Sequence, residues 1–233
     1  MIDKLRKDIE KLADKDKGIF LQRFFSVEDR ARGDIFKGLT VPQSRLIAKK
    51  YLELPITEIE ELLRSDVHEE RLIALIILVD RFNRGDSETK KEIFDFYLKH
   101  TQFINHWDLV DSSAHQIVGE YLKGKNKEVL YKLAKSKTWW ERRIAIISTF
   151  EFLINEKDFK VTLEIAEVLI DDKHDLIHKA VGWMLREGGK RVSEDELKEF
   201  LRVHYKKMPR TMLRYAIEKF PEDLRKKYLK GEI

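Results

Sequence analysis

The feature that most restricts the fold of this chain is the return of long amphipathic helices at a nearly constant interval. Apolar residues recur every three or four positions, and no segment shows the two-residue alternation of a β-strand. Long helices are predicted to begin near residues 69, 107, 139, 174 and 209, with a shorter helix in each gap. Helix pairs at such a period are typical of an α-solenoid of HEAT-like repeats. The sequence therefore predicts an all-α fold in which equivalent helices line a concave face.

Helix boundaries follow from capping residues and prolines. Ser193 has Glu196 three residues later, which is capping-box spacing, and each of the four prolines lies at or near a predicted helix start. Residues 30–42 form the clearest irregular segment, and no linker is long enough to separate two domains, so we expect one domain over residues 1–233. The predicted helices cover residues 2–14, 19–25, 42–53, 55–64, 68–84, 87–100, 107–123, 126–135, 139–154, 157–171, 174–189, 193–206, 208–219 and 221–229.

Composition excludes several classes of protein. Charged residues make up 38% of the chain and apolar residues 42%, which is typical of a soluble, helix-rich protein. No apolar run approaches the roughly 20 residues that span a bilayer, so we expect no membrane association and a cytoplasmic location. The chain has no cysteine, which excludes disulfides and thiolate metal sites, and its seven histidines show no tight ligand spacing. We therefore expect no metal site.

The net charge of +4 is unevenly distributed. Residues 1–100 carry 20 basic and 20 acidic side chains, whereas residues 101–233 carry 26 basic and 22 acidic ones. This modest excess is compatible with a phosphate-binding face, although charged residues commonly serve only to solvate a helix surface.

The segment Trp107–Asp111 combines an aromatic ring and a carboxylate at positions i and i+4 of one helical face. Such a pair suits a cationic, sugar-like transition state. An aspartate in the first helical turn also interacts favourably with the helix dipole, so Asp108 could fill that role and Asp111 the functional one. Apolar neighbours such as Leu109 and Val110 favour a function for Asp111, because a buried carboxylate needs compensation.

The remaining candidates are tryptophans and basic residues. Trp139 is predicted to be core, whereas Trp183, like Trp107, could form an open aromatic wall that contacts a sugar or base. Arg142 and Arg143 diverge by about 100° around a helix, so one can reach a phosphate while the other pairs elsewhere. Lys179 is a further basic candidate. Core packing for the tryptophans and surface ion pairing for the basic residues are the alternatives.

Four segments together resemble a known family. Residues 106–111, 140–146 and 179–187 are similar to the three signature segments of the AlkD-like DNA alkylation repair glycosylases, and residues 37–42 to their N-terminal loop. The resemblance implies a HEAT-like solenoid that holds duplex DNA on its concave face and hydrolyses the N-glycosidic bond of N3-methyladenine or N7-methylguanine. It also implies an open groove instead of a base pocket, and no metal or organic cofactor. We expect a monomer that binds double-stranded DNA containing alkylated bases.

The resemblance also implies roles for individual residues. Asp111 corresponds to the catalytic aspartate, Trp107 and Trp183 to the tryptophans beside the lesion deoxyribose, and Arg143 to an arginine that binds the DNA backbone. Thr40 stands where some relatives carry a longer polar side chain, which puts contacts near the lesion in question. Further contacts to DNA are expected from Arg142, Lys179 and Thr40.

Two other functions are compatible with helix pairs that recur at this interval. A non-catalytic HEAT-like scaffold that binds DNA or a protein partner has the same helical pattern. An RNA-binding repeat protein would show a regular side-chain code from repeat to repeat, which this chain lacks. Asp111 discriminates between enzyme and scaffold, because a carboxylate at the centre of a phosphate-binding groove would repel the DNA backbone.

Overall fold

The computed structural model describes residues 1–24 and 33–233 of the chain. Throughout these residues the regular structure is helical, and the single isolated β-bridge recorded among them joins Ile35 to Val67. The predicted all-α helical fold is therefore confirmed. Two of the predicted segments extend beyond the described residues. Residue 25 of the predicted helix 19–25 and residues 30–32 of the irregular segment lie outside them.

The described residues divide into two compact units, Met1–Ser113 and Ala114–Ile233. One continuous domain therefore stays a prediction. The first unit contains α1 (Ile2–Leu12), α2 (Lys15–Leu21), a 3₁₀ turn (Gln22–Phe24), α3 (Val41–Lys50), α4 (Ile56–Leu63), α5 (His68–Arg84), α6 (Ser87–Lys99), a second 3₁₀ turn (Thr101–Phe103) and α7 (Trp107–Asp111). The second contains a π-helical turn (His115–Gly119), α8 (Glu120–Leu122), α9 (Glu128–Ala134), α10 (Trp139–Ser148), another π-helical turn (Phe152–Glu156), α11 (Lys160–Val168), α12 (Asp175–Arg191), α13 (Glu194–His204), α14 (Arg210–Ala216) and α15 (Glu222–Lys230).

Most helix starts agree with the sequence pattern, but the start predicted at residue 19 is wrong: α2 begins at Lys15, because the Asp14 side chain caps it by accepting a hydrogen bond from the Lys17 backbone N–H. The five long-helix starts fall within one residue of their predicted positions, at residues 68, 107, 139, 175 and 210. Ser193 caps α13 by accepting a hydrogen bond from the backbone N–H of Glu196, as its spacing predicts. Pro55, Pro209 and Pro221 precede the first residue of a helix.

Two predicted helices are interrupted, and hydroxyl side chains explain both interruptions. The helix predicted over 107–123 stops at Asp111, where the Ser113 hydroxyl donates to the Leu109 carbonyl at 2.6 Å. The helix predicted over 139–154 stops at Ser148, whose hydroxyl donates to the Ile144 carbonyl at 2.7 Å. A hydroxyl bound to a carbonyl one turn back competes with the backbone ladder and bends the helix. A π-helical turn follows each stop.

One long helix organises the core of each unit. In the first unit α5 buries almost its whole length and packs against α3 and α4. In the second unit α12 packs against α10 and α14. At Gly182 of α12 an added Cβ would lie 2.4 Å from the Met212 carbonyl oxygen, so the missing side chain allows close approach of α14. Within the described part of the chain, no helix is long and apolar enough to cross a membrane.

Candidate functional site

The helix α7 carries the predicted pair of Trp107 and Asp111 at its two ends. Both side chains are half-buried, whereas Leu109 and Val110 between them are fully buried. Asp111 lies close enough to Tyr97 to affect it: burial raises the pKa of the Tyr97 hydroxyl, the Ser113 hydroxyl 2.9 Å away lowers it, and the charge of Asp111 raises it further. Thus α7 carries an indole and a carboxylate on a helix whose intervening side chains are buried.

The other carboxylate of α7, Asp108, has a structural partner. Its Oδ2 lies 2.7 Å from Nε2 of His68 on α5, and its Oδ1 accepts a hydrogen bond from the Leu109 N–H at 2.9 Å. Burial raises the pKa of the Asp108 carboxyl, but the charge and hydrogen bond of His68 outweigh burial and lower that pKa overall. Asp108 therefore joins α7 to α5, and the functional role of Asp111 stays a prediction.

His68 belongs to a buried polar cluster beneath α7. At its centre is Asp34, whose Oδ2 contacts the Arg71 guanidinium and lies 2.6 Å from Nε2 of His106 and 3.8 Å from Nδ1 of His68. Arg71 also donates to the Asn105 side-chain oxygen at 2.8 Å. His106 is the residue that precedes α7, so the cluster fixes where that helix begins.

Burial and charge act in opposite directions on the pKa values of this cluster. Burial raises the pKa of the Asp34 carboxyl, but the close approach of His106 and His68 and the charge of Arg71 hold that pKa well below its usual range. For His68, burial lowers the pKa, but Asp108 through its charge and hydrogen bond, together with Asp34, raises it to about 9. Asp34 is therefore ionised and His68 protonated at neutral pH.

The same cluster contains three groups of the kind that bind metals. Three atoms able to bind a metal lie within 4.8 Å of one another, one each from Asp34, His68 and His106. Asp34 also contacts the Arg71 guanidinium, and His68 is held in its protonated form by Asp108. Metal ligation requires neutral histidine, and a cation would be repelled by Arg71. The charges present thus favour an ion-pair network over a metal site.

This network predicts a specific dependence of stability on pH. The folded-state pKa of His68 lies above the value of about 6.5 expected for an unfolded chain. The charged imidazole therefore stabilises the folded protein fully below pH 6.5, and this contribution is lost as pH rises through about 9. We expect the free energy of unfolding of wild type to exceed that of His68→Gln by up to roughly 3 kcal/mol at pH 6.5, and by much less at pH 10. Urea titrations at several pH values measure this difference.

The matched control for that prediction is His204→Gln, because His204 lies 4.0 Å from the exposed Glu167. Its effect on unfolding should be small, because this contact is long and lies at the surface. If the free energies of unfolding of wild type and His68→Gln differ by the same amount at pH 6.5 and at pH 10, the ion pair of His68 with Asp108 would be contradicted.

The segment that holds Thr40 is fixed by a buried carboxylate. Glu69 of α5 accepts hydrogen bonds from the backbone N–H groups of Lys37, Gly38 and Leu39 at 2.9, 2.8 and 3.2 Å. Thr40 caps α3 in a capping box with Gln43. The Thr40 hydroxyl therefore has a structural role in addition to the DNA contact predicted for it.

A cavity of about 440 Å³ opens between this segment, α5 and α7. Its walls are mainly apolar and include Phe24, Phe36, Leu39 and Trp107. Polar side chains at its margin are those of Thr40, His68, Glu69 and Asp108. Trp107 thus borders a partly open apolar cavity, which the open groove implied by the resemblance does not include.

In the second unit, the two adjacent arginines of α10 have separate partners. Arg142 donates to both oxygens of Asp172, at 2.6 and 3.2 Å, and to the backbone carbonyls of Ser136 and Lys137. Arg143 is only 4% exposed and donates to the Leu176 carbonyl of α12. Both guanidinium groups are therefore held by internal contacts, and their predicted contacts to DNA stay predictions.

Lys179 and Trp183 lie one turn apart on α12, and both are partly exposed. The Lys179 ammonium pairs with Asp175 at 2.6 Å, and its side chain is 40% exposed. The Trp183 ring lies 6.3 Å from the Phe150 ring. Trp139 stacks on His174 at 4.9 Å and is half-buried, so it is less enclosed than the predicted core residue.

The predicted residues thus form two groups: Thr40, Trp107 and Asp111 in the first unit, and the two arginines, Lys179 and Trp183 in the second. Sequence reasoning missed the buried cluster around Asp34. A signal was nevertheless present in the sequence, because four charged or polar residues at 68–71 form the first turn of an otherwise strongly apolar helix. All four of these side chains are buried.

Comparisons with known proteins agree with this architecture. Residues 5–220 match a protein family described as DNA alkylation repair enzyme. Among solved structures, a predicted DNA alkylation repair enzyme from Enterococcus faecalis superposes with a TM-score of 0.69 over 90% of this chain and 97% of that one. The two sequences are 16% identical, so this likeness shows a shared fold alone. A search of curated proteins found no match.

Proposed function

Because the chain belongs to the DNA alkylation repair enzyme family, we propose that it is a DNA glycosylase. Its substrate is duplex DNA that contains cationic alkylated purines of the N3-methyladenine or N7-methylguanine type, and the reaction hydrolyses the N-glycosidic bond. The observation that carries this proposal is the pair of Trp107 and Asp111 on α7, since a scaffold that only binds phosphate gains nothing from a carboxylate there.

In this reaction the alkylated base already carries positive charge and leaves readily. The protein must stabilise positive charge on the deoxyribose and deliver water to C1′. The Asp111 carboxylate performs the first task electrostatically and orients or deprotonates the water for the second. This chemistry requires neither a metal nor an organic cofactor.

The aromatic and basic residues complete the proposed site. Trp107 and Trp183 flank the deoxyribose, exclude bulk water and attract a cationic sugar through their ring faces. Arg143, Arg142, Lys179 and Thr40 contact the DNA backbone, on the concave face that the HEAT-like period predicts. For the two arginines this role requires that each guanidinium donate both to its internal partner and to a phosphate.

The direct test is release of free base from duplex DNA methylated with a simple alkylating agent, measured under single-turnover conditions with excess protein. Time-dependent release of N3-methyladenine or N7-methylguanine supports the proposal. Tight binding of DNA without release would instead support a non-catalytic scaffold. The internal contacts of Arg142 and Arg143 favour a scaffold that binds a protein partner, because they occupy the groups expected to bind phosphate.

Lys179 offers the cleanest test of the proposed DNA face. We expect Lys179→Ala to weaken binding to duplex DNA irrespective of sequence, because one phosphate contact is lost. The slope of log affinity against log salt should fall by about 0.9. Fluorescence anisotropy at several salt concentrations measures both effects.

Lys198 is a matched control for this substitution. Each lysine pairs at 2.6 Å with a carboxylate one turn earlier on its helix, and the exposed fractions of the two side chains are 40% and 42%. Lys198→Ala should leave affinity and salt slope unchanged. Equal effects of the two substitutions would remove Lys179 from the DNA interface.

A further inference from the structure

The proposed reaction assigns no role to His115, which begins the first π-helical turn of the second unit. Its imidazole is half-buried, and its Nδ1 lies 3.4 Å from Oε2 of the buried Glu151. Within the described part of the chain, Nε2 of His115 makes no hydrogen bond. Turns of π-helix are rare and are frequently found at functional sites. One ring nitrogen of His115 is therefore held by the protein, and the other is available to a ligand.

Glu151 fixes Nδ1 of His115 as a hydrogen-bond donor. Burial raises the pKa of the Glu151 carboxyl, but the hydrogen bond and the charge of His115 outweigh burial, and that pKa is lowered overall. Glu151 is therefore ionised at neutral pH, and an ionised carboxylate can only accept a hydrogen bond. An imidazole that donates from both ring nitrogens carries a positive charge. Through Nε2, His115 can thus offer a charged N–H donor to an anion.

A phenylalanine connects His115 with the tryptophan that we place beside the deoxyribose. The Phe150 ring meets the His115 imidazole edge to face, with centroids 5.5 Å apart, and lies 6.3 Å from the Trp183 ring. The Arg191 guanidinium lies over the same phenylalanine, 5.2 Å from the ring centroid. All four side chains are at least partly exposed. They therefore belong to one surface of the second unit.

Each of the two basic side chains on this surface is more exposed than its carboxylate partner. Arg191 pairs with Glu187 at 2.8 Å, and the exposed fractions of these two side chains are 36% and 11%. The corresponding fractions for His115 and Glu151 are 25% and 8%. An anion that approaches from the solvent therefore meets the donors before the carboxylates. This arrangement favours a phosphate over a cation as the ligand.

We propose that Nε2 of His115 donates to a backbone phosphate of duplex DNA, next to the nucleotide whose deoxyribose lies against Trp183. The inference rests on the proposed function and deepens it, because it names a further group that fixes the damaged strand beside the tryptophan. Contacts to phosphate position a protein on the duplex and carry no sequence information. The duplex can therefore stay in an open groove while His115 holds its backbone.

The test measures affinity for duplexes that carry one tetrahydrofuran abasic-site analogue and one neutral methylphosphonate linkage. In successive duplexes the neutral linkage replaces each phosphate around the analogue, and fluorescence anisotropy at constant salt gives each affinity. At the linkage that His115 contacts, wild type should lose about tenfold in affinity, because a charge-assisted hydrogen bond disappears.

His115→Asn removes Nε2 but keeps an amide donor near the position of Nδ1, so the Glu151 carboxylate keeps a partner. This variant should bind the fully charged duplex about tenfold more weakly than wild type. The neutral linkage that His115 contacts in wild type should cause no further loss in the variant. If every neutral linkage weakens both proteins by the same factor, the phosphate contact is overturned.

His204→Asn is the matched control. His204 also packs on a phenylalanine, with its ring 4.5 Å from that of Phe200, and it also lies beside a glutamate, Glu167. In the described residues no ring contact joins His204 to Phe150, so this variant should bind every duplex as wild type does. Equal losses in His115→Asn and His204→Asn would overturn the contact.

A second measurement uses wild type alone. In nitrogen NMR spectra of protein with isotope-labelled histidine, the Nε2 resonance of His115 should shift with the fully charged duplex and less with the neutral linkage. The same shift with both duplexes would overturn the contact. Base release from methylated DNA with no response specific to His115 leaves the glycosylase function intact and removes the contact. A response specific to His115 without base release supports the contact and overturns the glycosylase function.

Discussion

Asp111→Asn is expected to abolish base excision while DNA affinity stays unchanged or rises slightly. Removing a charge placed to stabilise a transition state typically costs about two to three decades in rate. Affinity should not fall, because the carboxylate repels the phosphate backbone and makes no favourable contact with it in the ground state. Single-turnover release of base and fluorescence anisotropy on the same methylated duplex measure the two quantities.

A charge-matched control separates this effect from a change in net charge. Asp95 of α6 is 55% exposed and pairs with Lys91 at 2.5 Å, so Asp95→Asn alters the charge by the same amount at an exposed surface. It should excise base at the wild-type rate. Excision by Asp111→Asn within a factor of three of wild type would remove Asp111 from catalysis, and the scaffold would become the better interpretation.

The sequence predicts the helical fold well because the relevant information is local. Apolar period, capping residues and prolines determine where helices such as α12 and α13 begin, and these starts agree within one residue. The stops after Asp111 and Ser148 were not predicted. They depend on whether a serine hydroxyl donates to a carbonyl of its own helix or points away from it. The spacing of apolar residues contains no information about that choice.

The candidate site was predictable only where its residues lie on one helix. Trp107 and Asp111 share α7, and Lys179 and Trp183 share α12, so sequence spacing alone relates them. Asp34 and His106 are far apart in sequence and meet only after the chain folds. Likewise, the burial of Arg143 against the Leu176 carbonyl is a tertiary contact, and no spacing rule distinguishes it from a surface arginine.

The buried cluster leads to the second large expected effect, which is on stability. Arg71 is fully buried and Asp34 nearly so, and they are in direct contact. Asp34→Leu leaves the guanidinium without its carboxylate, and loss of one partner from a buried ion pair typically costs about 3–5 kcal/mol. We expect a decrease of that size in the free energy of unfolding, measured by urea titration at pH 7. By contrast, Asp8→Asn, which removes a carboxylate paired with Lys11 and Lys50 at the surface, should change stability little.

The double variant Asp34→Leu/Arg71→Leu tests whether the cost comes from the unpaired charge. Replacing both members of a buried pair by apolar side chains is often neutral or stabilising, because no uncompensated charge remains. The double variant should therefore be more stable than Asp34→Leu alone, even though Asn105 loses its donor as well. If the two substitutions instead destabilise additively, Asp34 and Arg71 act independently. The position of α7 would then depend on the contact between His68 and Asp108 and not on the cluster as a whole.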